Sequence, residues 1–138
     1  MESPPPSVLA ILLCDQLIVD AQSQKKSLIG VFDKFHSPVF PALLSCSIYV
    51  KLTDAEGSYN FKIRIVSLKD ESLLTELGMQ GTVQTRSEPV EVAAHLMGIP
   101  IPEPGKYEIQ VYADDVYLGR VTLIAVQFNP GSLSWPQH

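Results

Sequence analysis

The chain has no excess of basic residues and no long apolar run. It carries 10 lysines and arginines against 15 aspartates and glutamates, a formal net charge of −5. Proteins that bind the phosphate backbone of nucleic acids concentrate positive charge, so this composition argues against a nucleic-acid partner. The apolar run at residues 8–14 is too short to span a bilayer, which argues against a membrane partner.

A recognisable targeting signal is also missing. A secretory signal needs Lys or Arg before its apolar core and small residues at the cleavage point. Here the lead contains Glu2 and three successive prolines, and Leu13 precedes Cys14 where a lipoprotein would need a small residue. We therefore expect a cytoplasmic protein.

Cysteine is scarce, with only Cys14 and Cys46 in the chain. One interpretation is a disulfide across the domain, and the other is two small apolar residues inside strands. In a reducing cytoplasm the second interpretation is favoured, so we expect stability without a disulfide.

The 138 residues are enough for one domain, and a hydrophobic content of 46% excludes global disorder. The predicted organisation is a proline-rich lead at residues 1–7, a folded domain at 8–128 and a tail at 129–138. The tail contains the only tryptophan, Trp135, which is a candidate contact to a partner because a lone indole in a polar segment gains much by docking.

Alternating apolar and polar residues give the clearest structural signal. Residues 46–53 and 59–65 alternate strictly, which is typical of strands with one buried and one solvated face. Asp114-Asp115 separates two further strands in a predicted hairpin. Other predicted strands cover residues 8–19, 27–32, 72–77, 82–85 and 89–96, with a helix as the alternative at 72–77, and the proline-containing segments 36–44 and 98–104 are predicted loops.

These elements predict an all-β, immunoglobulin-like antiparallel β-sandwich of about eight or nine strands. Gly105-Lys106-Tyr107 has the local pattern of a tyrosine corner, in which the hydroxyl bonds to backbone a few residues upstream. Tyr107 is therefore predicted to be a structural anchor. Asp15 interrupts an apolar register and is predicted to be a second anchor that accepts hydrogen bonds from loop N–H groups. Two alternatives are a β-bulge that turns the Asp15 side chain outward and a role for Asp15 as an acid in a functional site.

The N-terminal half resembles a family of small bacterial β-sandwich domains of unknown function. The resemblance rests on Leu13-Cys14-Asp15, Asp20, Lys26-Ser27-Leu28-Ile29-Gly30-Val31-Phe32-Asp33, Pro38-x-Phe40-Pro41 and Ser47-x-Tyr49-Val50-x-Leu52. It implies a bacterial origin and an immunoglobulin-like fold, and it implies no catalytic residue.

Motifs for chemistry are lacking as well. The sequence contains no glycine-rich phosphate loop, CxxC pair, HExxH or GxSxG, so we predict no catalytic, cofactor-binding or metal-binding residue. The leading hypothesis is a non-enzymatic protein-interaction or assembly module, with the segments 36–44 and 98–104 as candidate contact surfaces and with homo-oligomerisation possible. The alternatives are a carrier with an apolar pocket between the sheets and, least favoured, an enzyme.

Overall fold

A computed structural model describes residues 4–129, which form nine strands and no helix. The strands are β1 (Ser7–Val19), β2 (Lys26–Phe32), β3 (Lys34–Ser37), β4 (Ala42–Thr53), β5 (Gly57–Ser67), β6 (Leu73–Val83), β7 (Val90–Ile101), β8 (Gly105–Ala113) and β9 (Val116–Gln127). They build two sheets, which we name sheet A (β2-β1-β4-β7) and sheet B (β3-β9-β8-β5-β6). The predicted immunoglobulin-like β-sandwich is confirmed.

Strict alternation in β4, β5 and β8 produces the core between the sheets. Every second residue of β5, from Tyr59 to Ile65, is buried, and its neighbours on the strand are at least partly exposed. Apolar side chains thereby leave water on one face of each sheet, which is the main force that holds the sheets together. The largest fully buried side chains are Tyr107, Leu13, Ile48, Leu52, Ile63, Ile65, Ile101, Ile109 and Leu123.

Short turns with left-handed residues connect the hairpins. Asp114 and Asp115 have φ values of 48° and 65°, the geometry that a two-residue turn between β8 and β9 requires. At the β1–β2 turn, Asp20 Oδ1 accepts hydrogen bonds from the N–H groups of Gln22 and Ser23 at 2.8 and 2.9 Å. The acidic residues that the sequence places between strands therefore serve as turn residues.

Several predicted boundaries are wrong. The segment 36–44 is not one loop, because residues 34–37 form β3, parallel to β9, and β4 begins at Ala42. The segment 98–104 is not a loop either, since β7 continues to Ile101. Residues 82–85 are not a separate strand, because β6 ends at Val83. Strand β6 also includes residues 73–77, so the strand interpretation of that segment is confirmed. Pro100 is compatible with β7 because β7 is an edge strand.

The β1–β2 hairpin bends back over the outer face of sheet A. The pairing of β1 with β4 ends at Cys14, and residues 15–19 pair only with β2; we call residues 15–30 the arm. Lys26 pairs with Val19, whereas Glu91 pairs with Lys51, the neighbour of Ala10. A straight strand would separate Val19 from Ala10 by roughly 30 Å.

Despite that separation along the strand, Lys26 Nζ lies 2.9 Å from Glu91 Oε1. Only a bend that returns the arm across the sheet allows this contact. The bend also explains why Ser47 and Tyr49, which point away from the core, are 5% and 9% exposed.

Candidate interaction surface

The two proline-containing segments that the sequence singles out lie side by side. Leu43 is the cross-strand partner of Pro100, and Ala42 is the partner of Ile101. Ala42 and Ile101 point into the core, so Leu43 and Pro100 point outward. Segments far apart in the sequence thereby form one surface at the end of sheet A.

This surface is unusually apolar. Met97, Leu43 and Val39 are 84%, 68% and 67% exposed, the highest values for large hydrophobic side chains in residues 4–129. We call Leu43, Met97 and Pro100 on sheet A, together with Val39 in the loop that leads into β4, the end patch. Large apolar side chains that remain in water on neighbouring elements are typical of a protein contact surface.

Local hydrogen bonds hold the backbone around the end patch. Ser45 Oγ accepts a hydrogen bond from the Gly98 N–H at 2.9 Å, where Gly98 adopts a φ of 63° and the pairing of β4 with β7 is irregular. In the loop before β4, Ser37 Oγ donates to the Val39 carbonyl at 2.8 Å, and Gln127 Nε2 donates to the Pro38 carbonyl at 3.1 Å. These contacts position the patch before any partner binds, which lowers the entropy lost on association.

A serine and a histidine meet on the same outer face. Ser47 and His95 are cross-strand partners, and Ser47 Oγ lies 2.8 Å from His95 Nδ1. A catalytic pair of this kind also needs a group that orients the imidazole and a site that stabilises an oxyanion. Within residues 4–129 no carboxylate is hydrogen-bonded to His95, so this pair supplies a polar cross-strand contact and not a triad.

A second polar cluster fixes the arm. The Tyr49 hydroxyl donates a hydrogen bond to Glu91 Oε2, and Lys26 from the arm forms an ion pair with Glu91 Oε1. The hydrogen bond from Tyr49, followed by the bond from Lys26, lowers the pKa of Glu91. Burial and then the bond to Glu91 raise the pKa of Tyr49 to about 12, so Tyr49 remains a donor at neutral pH. The cluster is a clamp between the arm and sheet A.

Both cysteines are buried and free. Burial raises the pKa of the Cys46 thiol to about 11, and burial and then the charge of Asp15 raise the pKa of the Cys14 thiol. A thiol with a raised pKa is a poor nucleophile at neutral pH. Across residues 4–129 no group of three or more metal-ligating side chains comes together.

The structure places Asp15 at the bend of the arm, on the exposed side. Its Oδ2 lies 2.3 Å from the position that a Cβ at Gly30 would occupy, and Gly30 has a φ of 72°. Glycine at residue 30 therefore leaves the space for the Asp15 carboxylate. Within residues 4–129 no group donates a hydrogen bond to the Asp15 carboxylate. The loop N–H groups that the prediction assigned to Asp15 as donors are therefore not found among these residues.

Tyr107 makes the contact that the Gly-x-Tyr pattern predicts. Its ring is 1% exposed, and its hydroxyl donates a hydrogen bond to the Glu103 carbonyl at 2.6 Å, four residues upstream. Burial raises the pKa of the hydroxyl, which keeps it protonated. Trp135 and the tail from residue 130 onward lie outside the described residues.

Sequence reasoning missed two features of this surface. Met97 lies between the predicted strand 89–96 and the predicted loop 98–104, so the sequence assigned it no role; in the structure it belongs to β7 and is 84% exposed. The Ser47–His95 contact joins strands β4 and β7, which are distant in the chain. The alternation of β4 indicated that Ser47 and Tyr49 share a face, but it could not indicate that the arm covers them.

A model of a family of unknown function (DUF6941) matches residues 9–126. The chain belongs to this family. The resemblance to small β-sandwich domains of unknown function is thereby confirmed. A search of curated proteins found no relative. Within residues 4–129 there is no helix that has the length and apolar character to cross a membrane.

Three solved structures are similar to this family member. An immunoglobulin-like protein from Pseudomonas aeruginosa shares 9% identity at a TM-score of 0.47, with 89% of this chain and 98% of that chain covered. A CARDB domain from Pyrococcus furiosus in complex with di-metal ions shares 13% at 0.41, covering 90% and 96%. A Pseudomonas fluorescens alkylpurine DNA glycosylase bound to DNA shares 10% at 0.40, covering 84% of this chain and 30% of that chain.

Proposed function

We propose that this domain is a non-enzymatic protein-interaction or assembly module of the cytoplasm and that the end patch is its contact surface. The observation that carries the proposal is the convergence of the two proline-containing segments on one outward face, with Leu43 and Met97 more than two-thirds exposed. A surface of this kind gains free energy when another protein covers it, because apolar area leaves water.

The polar groups of the same sheet support this proposal over an enzymatic role. Ser47 is buried beside His95, and Glu91 is engaged by Tyr49 and Lys26. These groups satisfy one another and hold the arm, because each of them takes part in a hydrogen bond or an ion pair with another of them. Asp15, by contrast, is exposed, and the titratable group beside it is the buried Cys14 thiol, whose pKa is raised by burial and then by the charge of Asp15.

The second candidate, a carrier with an apolar pocket between the sheets, has less support. A depression of about 680 Å³ lies on the outside of sheet B, and its lining includes the charged side chains of Lys62, Asp114 and Asp115. Lys62 and Asp115 form an ion pair across it at 2.7 Å. A carrier for apolar ligands needs an enclosed apolar cavity of roughly 300–1,000 Å³ instead. The groove between β6 and β7, at the edges of the two sheets, has about 260 Å³ and includes Glu91 in its lining.

Affinity purification of the tagged chain from its source cells tests the proposal. We expect a defined protein, or a second copy of the chain, to co-purify with the wild type and to be lost from the Leu43→Ser/Met97→Ser double variant. Val116→Ser is the matched control, because Val116 is an exposed apolar residue on the β8–β9 hairpin, outside the end patch. Equal recovery with the double variant would contradict the proposal.

The same proposal includes a bacterial origin and a contact role for Trp135. It also includes the organisation of the chain into a lead, a domain at 8–128 and a tail. Removal of residues 132–138 is expected to leave the β circular-dichroism spectrum intact. A change in the mass measured by light scattering after that removal would support an intermolecular role for the tail.

A further inference from the structure

The two sheets have four outer strands, and three of them carry features that hinder pairing with another strand. Strand β3 has four residues, β2 contains Gly30 at a φ of 72°, and β7 contains Gly98 at a φ of 63° followed by Pro100. Short length, distorted backbone and proline are known devices against edge-to-edge pairing.

Strand β6 has no such device beyond its first residues, where the pairing with β5 skips Leu74. It runs for 11 residues without proline, Glu76 is its only charged residue, and none of its residues has a positive φ. It pairs with β5 from Leu73 to Val83, and within residues 4–129 no strand pairs with its other side.

The register shows which backbone groups of β6 face the free side. The Asn60 carbonyl accepts a hydrogen bond from the Asp114 N–H, and the Asn60 N–H donates to Asp114 Oδ1. Both backbone groups of Asn60 therefore point toward β8, so Asn60 and its β6 partner Gln80 form a non-hydrogen-bonded pair. Gln80 consequently directs its N–H and C=O away from β5, as do Gly78 and Thr82 two residues to either side.

An apolar groove runs along the same free edge. It has a volume of about 260 Å³ and lies between β6 and β7. Its apolar lining comes from Phe61, Met79, Val83, Val90, Val92 and Ala93, and Gln80, Thr82 and Glu91 form its polar part. Gly81 contributes no side chain to it, and a Cβ at that position would lie 3.2 Å from Phe61 Cε2. A strand added to β6 would direct every second side chain toward this groove.

We propose that the β6 edge binds an extended peptide segment of a partner polypeptide, in which apolar side chains alternate. Main-chain hydrogen bonds to Gly78, Gln80 and Thr82 supply affinity, and the groove selects the alternate side chains. A second copy of this chain fits less well, because the inward side chains of its own β6, such as Leu77 and Met79, already pack against its own core. This edge belongs to sheet B, so the proposal is independent of the end patch on sheet A.

Selection from a phage-displayed random peptide library supplies the probe for the test. We expect the enriched peptides to have apolar residues at every second position. A synthetic peptide of the enriched sequence should slow the amide hydrogen exchange of Gln80 and Thr82. Failure to enrich such a pattern, or protection of another strand in place of β6, would overturn the proposal.

Two variant pairs separate the backbone from the groove. Gln80→Pro removes an edge N–H without removing a bond to β5, and it should weaken peptide binding by roughly tenfold or more. Gln80→Val keeps the N–H and should weaken binding much less than Gln80→Pro does. Gly81→Leu fills the groove and should abolish binding. Tyr117→Leu is its control, because Tyr117 is exposed on β9, away from the β6 edge.

Circular dichroism establishes that each variant is folded, and the Gln80 pair decides the outcome if Gly81→Leu does not fold. Unchanged affinity in Gln80→Pro would overturn the proposal. Protection of β6 that rises with protein concentration in the absence of peptide would also overturn it, in favour of pairing between copies. Retention of peptide binding in Leu43→Ser/Met97→Ser is expected whether or not the end patch has a partner.

Discussion

Replacement of Tyr107 by phenylalanine removes one hydroxyl and keeps the ring. In the wild type that hydroxyl donates to the Glu103 carbonyl at 2.6 Å, and the Glu103 N–H donates back to it at 3.4 Å. Because Tyr107 is 1% exposed, water cannot readily replace the lost partner. We expect the free energy of unfolding to fall by about 1–3 kcal/mol, the cost of an unsatisfied buried group.

Urea unfolding followed by circular dichroism measures this loss. The slope of the free energy against urea concentration should be unchanged, since the same surface is exposed on unfolding. In a thermal melt the loss corresponds to about 4 °C for each kcal/mol in a domain of this size.

Tyr112→Phe is the matched control for Tyr107→Phe. Tyr112 is on the same strand, it is only partly buried, and its hydroxyl donates to the Gln110 side chain at 2.9 Å. Its loss is expected to cost no more than about 0.5 kcal/mol, as is usual for surface substitutions. If Tyr107→Phe is no more destabilising than Tyr112→Phe, the hydroxyl of Tyr107 does not hold the segment before β8 and the reasoning is refuted.

Three further predictions concern the arm and the cysteines. Gly30→Ala should lower the free energy of unfolding by about 1 kcal/mol or more in urea melts, because residue 30 has a φ of 72° and the new Cβ would collide with Asp15. A neutral result would mean that the bend of the arm is not as described. The folded pKa of Glu91 lies below its ordinary value of 4.5, so the contribution of Glu91 to stability is complete above pH 4.5 and is lost as the pH falls through the folded pKa. Glu91→Gln should remove this part of the pH dependence of the melts. An unchanged pH profile in the variant would contradict the clamp. Since Cys14 and Cys46 are free, the melting temperature should be the same with and without reductant, and a drop of many degrees on reduction would reveal a disulfide.

Local patterns predicted the centre of the sandwich because burial there follows the alternation of each strand. The face assigned to Tyr59, Phe61, Ile63 and Ile65 is the buried face, and Asp114-Asp115 forms the turn of the last hairpin. The edges were harder to predict. Leu73, Leu74 and Leu77 allowed a helical face, because a bulge near Ile65 shifts the register of β6 and disturbs its alternation.

Proline misled the prediction at β7 and β4. Pro100 suggested a loop, but β7 is an outer strand of sheet A, and outer strands tolerate proline because one row of their N–H groups has no partner strand. The four residues of β3 are too few to show a period, and their parallel partner β9 is distant in the sequence.

The candidate surface depended on contacts that no local pattern encodes. The bend of the arm is visible only through Lys26 and Glu91, and the end patch only through the pairing of Leu43 with Pro100. Composition could indicate which segments were candidates for contact, but tertiary pairing decided that they form one surface.

Photo-crosslinking at the end patch tests the central claim most directly. A benzophenone amino acid at position 43 is expected to yield one discrete covalent adduct in the source cells, and the adduct should disappear when Met97→Ser is added. The same probe at position 116, another exposed apolar position, should not yield that adduct. An adduct pattern at position 43 identical to that at 116, or no adduct at either, would contradict an interaction module that binds through Val39, Leu43 and Met97.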